Sequence, residues 1–157
     1  MGVVGIDSSG IIKDPTEAVW MAAVREIDKQ KHNILFLSAV ECEKYRRKIP
    51  ENYWRERIAA ALVFKSLEPL IRHFDIVQIH KDWPGHRADV VKRFLERLFG
   101  VRFYGRYPLS NVKIQLIPGE GTDEIQRADD KSWNARHGWR DHVFNCPDLS
   151  KLLKELK

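Results

Sequence analysis

Four separate segments of this chain carry carboxylates that could act together. Asp7 ends an apolar, β-branched run, and Asp82 follows a second run of that kind. Glu56 lies in the first turns of an apolar-periodic helical stretch, and Asp129 and Asp130 lie in another. Converging carboxylates repel one another unless cations neutralise them, and oxygen-only ligands suit Mg²⁺ or Mn²⁺. Two such ions about 3.5–4 Å apart can activate water and stabilise the leaving oxygen in phosphodiester cleavage.

Each of these acids also has a purely structural interpretation. Asp7 can cap the polar turn that follows its strand, and Asp82 precedes a Trp-Pro-Gly turn. Glu56 can be stabilised by the helix dipole without any further role. Asp129 and Asp130 can pair with neighbouring basic side chains on a solvated helix face. Because helical neighbours point about 100° apart, only one of these two can face a shared site, and we prefer Asp129.

The elements that must position these acids follow from hydrophobic periodicity and turn residues. Apolar runs predict five strands, at residues 3–7, 18–24, 33–40, 75–80 and 112–117. Apolar residues at helical spacing predict helices at residues 52–74, 88–99, about 122–135 and about 149–157. Pro69 should kink or break the first helix near its C-terminal end. The strands of Asp7 and Asp82 bring both acids to one sheet edge if they are parallel neighbours.

Length and composition fit a single globular domain over residues 1–157. The chain is 43% hydrophobic and 31% charged, which excludes a disordered chain, a collagen-like fibre and a disulfide-rich miniprotein. No apolar run approaches the roughly 18–20 residues needed to cross a bilayer, and no signal-peptide pattern is present, so no membrane partner is expected. Cys42 and Cys146 form no CxxC pair, and a reducing cytoplasm is their simplest location.

Other sources of catalysis find little support in the sequence. There is no Walker-type phosphate loop, no GxGxxG after a strand and no GxSxG elbow. Cys42 lies between two glutamates that should raise its pKa, which makes it a poor nucleophile. His137 and His142, with Cys146 nearby, match no common zinc spacing, so the sequence predicts no zinc site.

Positive charge is concentrated in the second half of the chain, which predicts a nucleic-acid partner. The net charge is +5, and residues 79–157 hold 15 basic against 11 acidic side chains. Aromatic residues lie among the basic ones, and cations hold phosphates while rings stack on bases. The same pattern also fits a solvated helix face with core-facing phenylalanines. The predicted phosphate contacts are Arg87, Lys92, Arg93, Arg97, Arg102 and Arg106.

The predicted order β-β-β-α-β-α-β-α, with four of its segments, resembles the ribonuclease H-like superfamily over nearly the whole chain. The matching segments are residues 4–10 in the first strand, 54–62 in the long helix, 79–82 at the fourth strand and 124–129 in the last long helix. The first and the last of these segments are similar to those of an uncharacterised branch with an Ile-Asp-x-Ser-Gly first strand and an Ile-Gln-x-Ala-Asp last helix. The resemblance implies an α/β fold with a mixed five-stranded sheet and helices on both faces.

The resemblance also implies a two-metal nuclease, with Asp7, Glu56, Asp82 and Asp129 as the ligands of Mg²⁺ or Mn²⁺. It implies no particular substrate, because the superfamily contains hybrid nucleases, integrases, exonucleases, junction resolvases and inactive relatives. We therefore expect a nuclease acting on RNA, DNA or an RNA–DNA hybrid. The alternative is a non-catalytic module of the same fold that binds nucleic acid or another protein.

Overall fold

A six-stranded mixed sheet is central to the computed structural model, which describes residues 2–10, 18–25, 31–49, 52–83, 87–100 and 111–157. The strands are β1 (Val3–Ser9), β2 (Val19–Arg25), β3 (Lys31–Leu37), β4 (Ile76–His80), β5 (Lys113–Ile117) and β6 (Val143–Asn145). They lie in the order β5-β4-β1-β2-β3-β6. Strand β2 runs antiparallel to β1 and β3, whereas β4 is parallel to β1 and β5, and β6 is parallel to β3. All strands except β2 therefore end at the same edge of the sheet.

Helices cover both faces of this sheet. They are α1 (Ala39–Lys48), α2 (Trp54–Leu67), α3 (Ala88–Phe99), α4 (Asp123–Arg136) and α5 (Ser150–Glu155). Side chains alternate along β2: Met21 and Ala23 join the core that contains α2 and α3, whereas Ala22 and Val24 pack with Ala128 of α4. None of the helices in the described ranges is long and apolar enough to cross a membrane.

Helix α2 fills the space between the sheet and the helices on that face. Ten of its 14 residues are buried, and the consecutive small residues Ala59, Ala60 and Ala61 allow close packing. The helix ends at Leu67, two residues before Pro69. Proline cannot continue the backbone hydrogen-bond pattern, so the predicted break near the C-terminal end is confirmed.

Gly5 allows α4 to lie directly on β1. A Cβ added at Gly5 would lie 2.4 Å from the carbonyl carbon of Glu124 and 2.6 Å from the amide nitrogen of Ile125. The hydroxyl of Thr122 caps the helix by accepting a hydrogen bond from the Ile125 amide, and it donates one to Gln78 Oε1 at 2.6 Å. The start of α4 is thus fixed against both β1 and β4.

A buried ion pair fixes the opposite edge of the sheet. Arg25, at the end of β2, pairs with Asp75, which directly precedes β4, and both side chains are at most 5% exposed. Asp75 also accepts hydrogen bonds from the amides of Gly2 at 3.0 Å and Arg72 at 2.8 Å. Because a buried charge needs a partner and further hydrogen bonds, this network ties the ends of three strands together.

Two sequence predictions differ from the structure. The predicted strand at residues 33–40 ends at Leu37, because Ser38 accepts a hydrogen bond from the Glu41 amide at 3.2 Å and caps α1. This cap outweighs the strand preference of Val40. The described residues also contain six strands and not five, since β6 pairs with β3. Three residues are too few to give a periodic signal.

The close approach at Gly5 predicts a site-specific loss of stability. Gly5→Ala should lower the free energy of unfolding in urea by about 2 kcal/mol or more, because the new methyl group meets helix backbone that cannot move aside. Gly100→Ala is the matched control: its φ is −80° and the nearest atom would lie at 3.5 Å. That variant should be neutral or stabilised by up to about 1 kcal/mol. Equal effects of the two substitutions would contradict the assigned contact.

Candidate functional site

A cavity of about 260 Å³ opens at the carboxyl ends of β1 and β4. Three of the four predicted carboxylates line it: Asp7 at the end of β1, Asp82 just after β4 and Asp129 on α4. The two strands are parallel neighbours with Ile6 opposite Ile79. This is the arrangement that the sequence prediction required for Asp7 and Asp82 to lie at one edge of the sheet. The remaining lining residues are Ser8, His80, Glu120, Ile125 and Gln126.

Asp7 is buried at the cavity wall and hydrogen-bonded there. It is 9% exposed, and its Oδ1 accepts a hydrogen bond from the Ser8 amide at 2.8 Å. The Ser8 hydroxyl in turn accepts a hydrogen bond from Trp83 Nε1 at 2.8 Å. Since Trp83 directly follows Asp82, this bond ties the end of β1 to the turn that carries the second acid.

Helix α4 brings Asp129, and not its neighbour Asp130, to the cavity. Ala128 and Ser132 are fully buried, while both aspartates are exposed. Asp129 lines the cavity, whereas Asp130 is not among its lining residues. The 100° rotation between helical neighbours accounts for this difference, and it agrees with the choice made from the sequence.

The acids at the cavity share an unfavourable electrostatic environment. Burial raises the pKa of Asp7 to about 6, and the nearby charge of Asp129 adds to this shift, while the Ser8 amide and His80 oppose it. Partial burial, followed by the charge of Asp130, also raises the pKa of Asp129 above its usual range, and His80 again opposes the shift. Full ionisation of both acids is therefore disfavoured, and a bound divalent cation would remove that penalty.

Glu56, the fourth predicted ligand, is not among the residues that line this cavity. It is 7% exposed, and its Oε1 accepts a hydrogen bond from the backbone amide of Arg87 at 3.4 Å. Arg87 directly precedes the first turn of α3, where the helix dipole stabilises a carboxylate. In this structure Glu56 connects α2 to the start of α3.

Four of the six predicted phosphate contacts lie in the described residues, in α3 or directly before it: Arg87, Lys92, Arg93 and Arg97. Arg102 and Arg106 lie outside the described residues. The guanidinium of Arg87 donates a hydrogen bond to the Tyr53 hydroxyl at 3.2 Å. Arg93 is exposed and Lys92 is half-buried.

The phenylalanines of α3 belong to the core and are not exposed for base stacking. Phe99 is buried and lies 5.3 Å from Phe64 between ring centroids. Phe94 packs against the same core, and the guanidinium of Arg57 lies 4.7 Å from its ring centroid. The core-facing interpretation of these two aromatic residues is therefore confirmed, while Phe103, Tyr104 and Tyr107 lie outside the described residues.

Sequence reasoning did not assign His80 and Glu120 to the site. His80 is the last residue of β4, and its Nε2 contacts the carbonyl oxygen of Gly119. Glu120 lies in the turn between β5 and α4. The parallel pairing of β1 with β4 could have indicated His80, since the residue after Ile79 lies beside Asp7 in the register. No pattern in the sequence indicated Glu120.

The distances between possible ligand atoms differ between this cavity and a second cluster of possible metal ligands. Across the described residues, one group of three has ligand atoms that all lie within 4.8 Å of one another, namely His32, Asp141 and His142. The four carboxylates predicted as metal ligands form no such group. A cation at the cavity would therefore require the acids to draw closer or water and substrate oxygens to complete the coordination.

The two cysteines are poor candidates for a nucleophile. Cys42 and Cys146 are free and buried. Burial raises the pKa of the Cys42 thiol to about 11, with a further contribution from Glu43, and raises that of Cys146 to about 12. Both thiols are therefore protonated at neutral pH, as predicted for Cys42.

Comparisons with protein-family models, with curated proteins and with solved structures find no match for this chain. The function is therefore argued from the chemistry of the site.

The raised pKa of Asp7 predicts a pH-dependent effect of Asp7→Asn in the absence of divalent cations. The folded pKa of about 6 lies above the ordinary value of 3.8, so the folded state binds the proton more tightly. The stability that the fold gains from this tighter proton binding is complete below about pH 4 and is lost as the pH rises through about 6. Asparagine resembles the neutral carboxyl, so Asp7→Asn should stabilise the fold by roughly 2 to 3 kcal/mol at about pH 7.5 and have little effect near pH 4.

Urea unfolding in EDTA across this pH range measures the difference between the two proteins. Asp130→Asn is the control, because it removes an exposed aspartate next to the cavity on α4. A stability difference for Asp7→Asn that does not change with pH would contradict the assigned burial effect.

Proposed function

We propose that this protein is a metal-dependent nuclease of ribonuclease H-like type that hydrolyses phosphodiester bonds of RNA, DNA or an RNA–DNA hybrid. The observation that carries the proposal is the cavity where Asp7, Asp82 and Asp129 meet from three distant segments. Further support comes from the order of the elements. A three-strand meander is followed by strands β4 and β5, which are parallel to each other. Helices α1 and α2 lie between β3 and β4 in the chain, and helix α3 lies between β4 and β5, as the resemblance implies.

The donor chemistry of the cavity suits Mg²⁺ or Mn²⁺, with water and substrate oxygens to complete the coordination. Asp7, Asp82 and Asp129 offer carboxylate oxygens, which both ions prefer. The raised pKa values of Asp7 and Asp129 follow from burial and neighbouring negative charge, and a cation would compensate for both. When bound, such ions supply Lewis-acid activation of water and neutralise charge on the phosphate.

The chain's own groups divide the work of the proposed reaction. Asp7 is the fixed ligand. Its carboxylate accepts a hydrogen bond from the Ser8 amide, and the Ser8 hydroxyl accepts one from Trp83 Nε1, so this end of β1 is tied to the turn after β4. Asp82 and Asp129 are exposed, so their carboxylates are accessible from the substrate side. His80 favours the ionised forms of Asp7 and Asp129, which are the forms that bind cations.

The basic residues of α3 are proposed to hold the phosphate backbone. Helix α3 follows β4 and therefore starts on the side of the sheet edge where the cavity opens. Arg93 and Arg97 are exposed on it, and exposed cations attract nucleic acid without reading its sequence. This agrees with a nuclease that needs little sequence specificity.

A second candidate function is nucleic-acid binding without hydrolysis. The observation that favours it is the engagement of Glu56 with the Arg87 amide, which leaves three of the four predicted ligands at the cavity. An inactive relative would keep the basic surface and lose the metal chemistry. The two functions share a nucleic-acid partner and differ in whether the bound strand is cleaved.

We also propose a cytoplasmic location. The support is the pair of buried, free thiols, Cys42 and Cys146, which a reducing compartment maintains.

Metal binding and cleavage together test the proposed function. Mn²⁺ titrated by calorimetry should bind the wild type, and Asp129→Asn should weaken binding about tenfold or more because it removes a ligand charge at the cavity. Cleavage of labelled RNA, DNA and hybrid in Mn²⁺ should fall about 100-fold in the same variant.

Asp130→Asn is the matched control, with the same charge change one residue away and outside the cavity lining. It should retain Mn²⁺ affinity within about threefold. Equal loss in both variants would contradict the site, and binding of nucleic acid with no cleavage by the wild type would favour the second candidate.

Glu56→Gln separates the catalytic from the structural role of this residue. The amide oxygen of glutamine can still accept the hydrogen bond from the Arg87 amide, so α3 should remain in place and stability should change by less than about 1 kcal/mol. If Glu56 contributes its charge to the metal site, cleavage should nevertheless fall about tenfold or more. Unchanged cleavage and unchanged Mn²⁺ affinity would remove Glu56 from the ligand set.

A further inference from the structure

A cluster of two histidines and an aspartate lies at the sheet edge opposite the carboxylate cavity. His32 is the second residue of β3, while Asp141 and His142 directly precede β6. Strands β3 and β6 are parallel, and Ile34 pairs with Val143, so the start of both strands lies at the same edge. One ligand atom from each of the three residues lies within 4.8 Å of the other two.

The local backbone brings the side chains of Asp141 and His142 to one point. Consecutive residues of a strand point to opposite faces, but His142 has a left-handed φ of 56°. This conformation is uncommon outside glycine and carries strain. The His142 carbonyl accepts a hydrogen bond from the Ile34 amide at 3.1 Å, which holds the turn against β3.

Packing also fixes the orientation of His32. The residue is 7% exposed, and its ring stacks on Trp139 with centroids 5.3 Å apart and an interplanar angle of 28°. Its ring meets that of His142 edge-on at 4.7 Å. The ammonium group of Lys131 lies 4.8 Å from the centroid of the Trp139 ring. The buried ligand candidate is thus held in place before any ion binds.

The one ligand–ligand distance within the exposed pair fits a transition-metal ion, and the His32 ligand atom lies within 4.8 Å of both partners. His142 Nε2 lies 3.5 Å from Asp141 Oδ1, close to the separation of about 3.3 Å between ligand atoms in a tetrahedral site with bonds of about 2.0 Å. Imidazole nitrogens suit Zn²⁺, Co²⁺ and Ni²⁺, whereas Mg²⁺ prefers six oxygen ligands. The donor set therefore differs in kind from that of the carboxylate cavity.

We propose that His32, Asp141 and His142 form a second metal site, which binds Zn²⁺ or a similar divalent transition metal with three protein ligands and an open position. Both histidines line a cavity of about 690 Å³ that also reaches Lys31, Asn33 and Asn145. Water or a small ligand can therefore reach the ion from this cavity. The two exposed ligands, Asp141 and His142, are 60% and 57% exposed, so an ion can enter from solvent.

Zinc binding by the untagged full chain, stripped of metal with EDTA, tests this site. Calorimetry in excess Mg²⁺, which competes for the all-oxygen cavity, should show one equivalent of Zn²⁺ per chain, and Co²⁺ should give visible d–d absorption of a low-symmetry nitrogen–oxygen site. Asp141→Asn and His142→Asn should each weaken Zn²⁺ binding at least about tenfold. Asparagine tolerates a left-handed backbone, so the His142 variant should fold, and circular dichroism checks this.

His137→Ala is the matched control, because His137 is an exposed histidine after α4 whose ring stacks on Trp133, outside the cluster. It should bind Zn²⁺ as the wild type does. Asp7→Asn, measured in the same excess of Mg²⁺, should keep this one equivalent of Zn²⁺, which separates this site from the proposed nuclease centre. Absence of Zn²⁺ binding by the wild type, equal loss in His137→Ala, or loss in Asp7→Asn would each overturn the proposal.

Discussion

The contact between Gly5 and the first turn of α4 determines how the rest of the molecule is arranged. Because residue 5 has no side chain, the helix backbone at Glu124 and Ile125 can lie directly on β1. Asp129, one turn further along, then reaches the cavity at the end of the strand that carries Asp7. A larger residue at position 5 would lift the helix, and the two acids would separate. The geometry of the candidate site is therefore a consequence of backbone packing and not of contacts between the acids themselves.

Helix α4 also connects the two edges of the sheet. Its 14 residues span roughly 21 Å, and its small buried residues Ala128 and Ala135 keep it close to β2 and β3 along this path. It begins beside the carboxylate cavity and ends shortly before Trp139, which supports His32. One helix thus contributes a candidate ligand at one edge and packing at the other. The two sites differ in chemistry because one offers only oxygen ligands and the other offers mostly nitrogen.

Much of the fold could be predicted from the sequence because its elements are long and periodic. Helix α3 has the predicted bounds, and β1, β4 and β5 lie where apolar runs end in turn residues. Strand β6 and the His32 cluster could not be predicted in this way. The first is three residues long, and the second joins residues more than 100 positions apart that share no spacing motif. Local patterns report on local structure, whereas these features exist only after β3 and β6 have paired.

The negative charges of two buried aspartates lie in different electrostatic environments. Asp75 is neutralised internally, since it pairs with Arg25 and accepts hydrogen bonds from two backbone amides. Asp7 is 9% exposed, yet the charges that act most strongly on it are a second carboxylate and a histidine, and its pKa is raised to about 6. A buried acid with no compensating lysine or arginine among these influences destabilises a fold. Such a cost is expected where an acid serves a site, and a cation that binds Asp7 together with Asp129 would offset it.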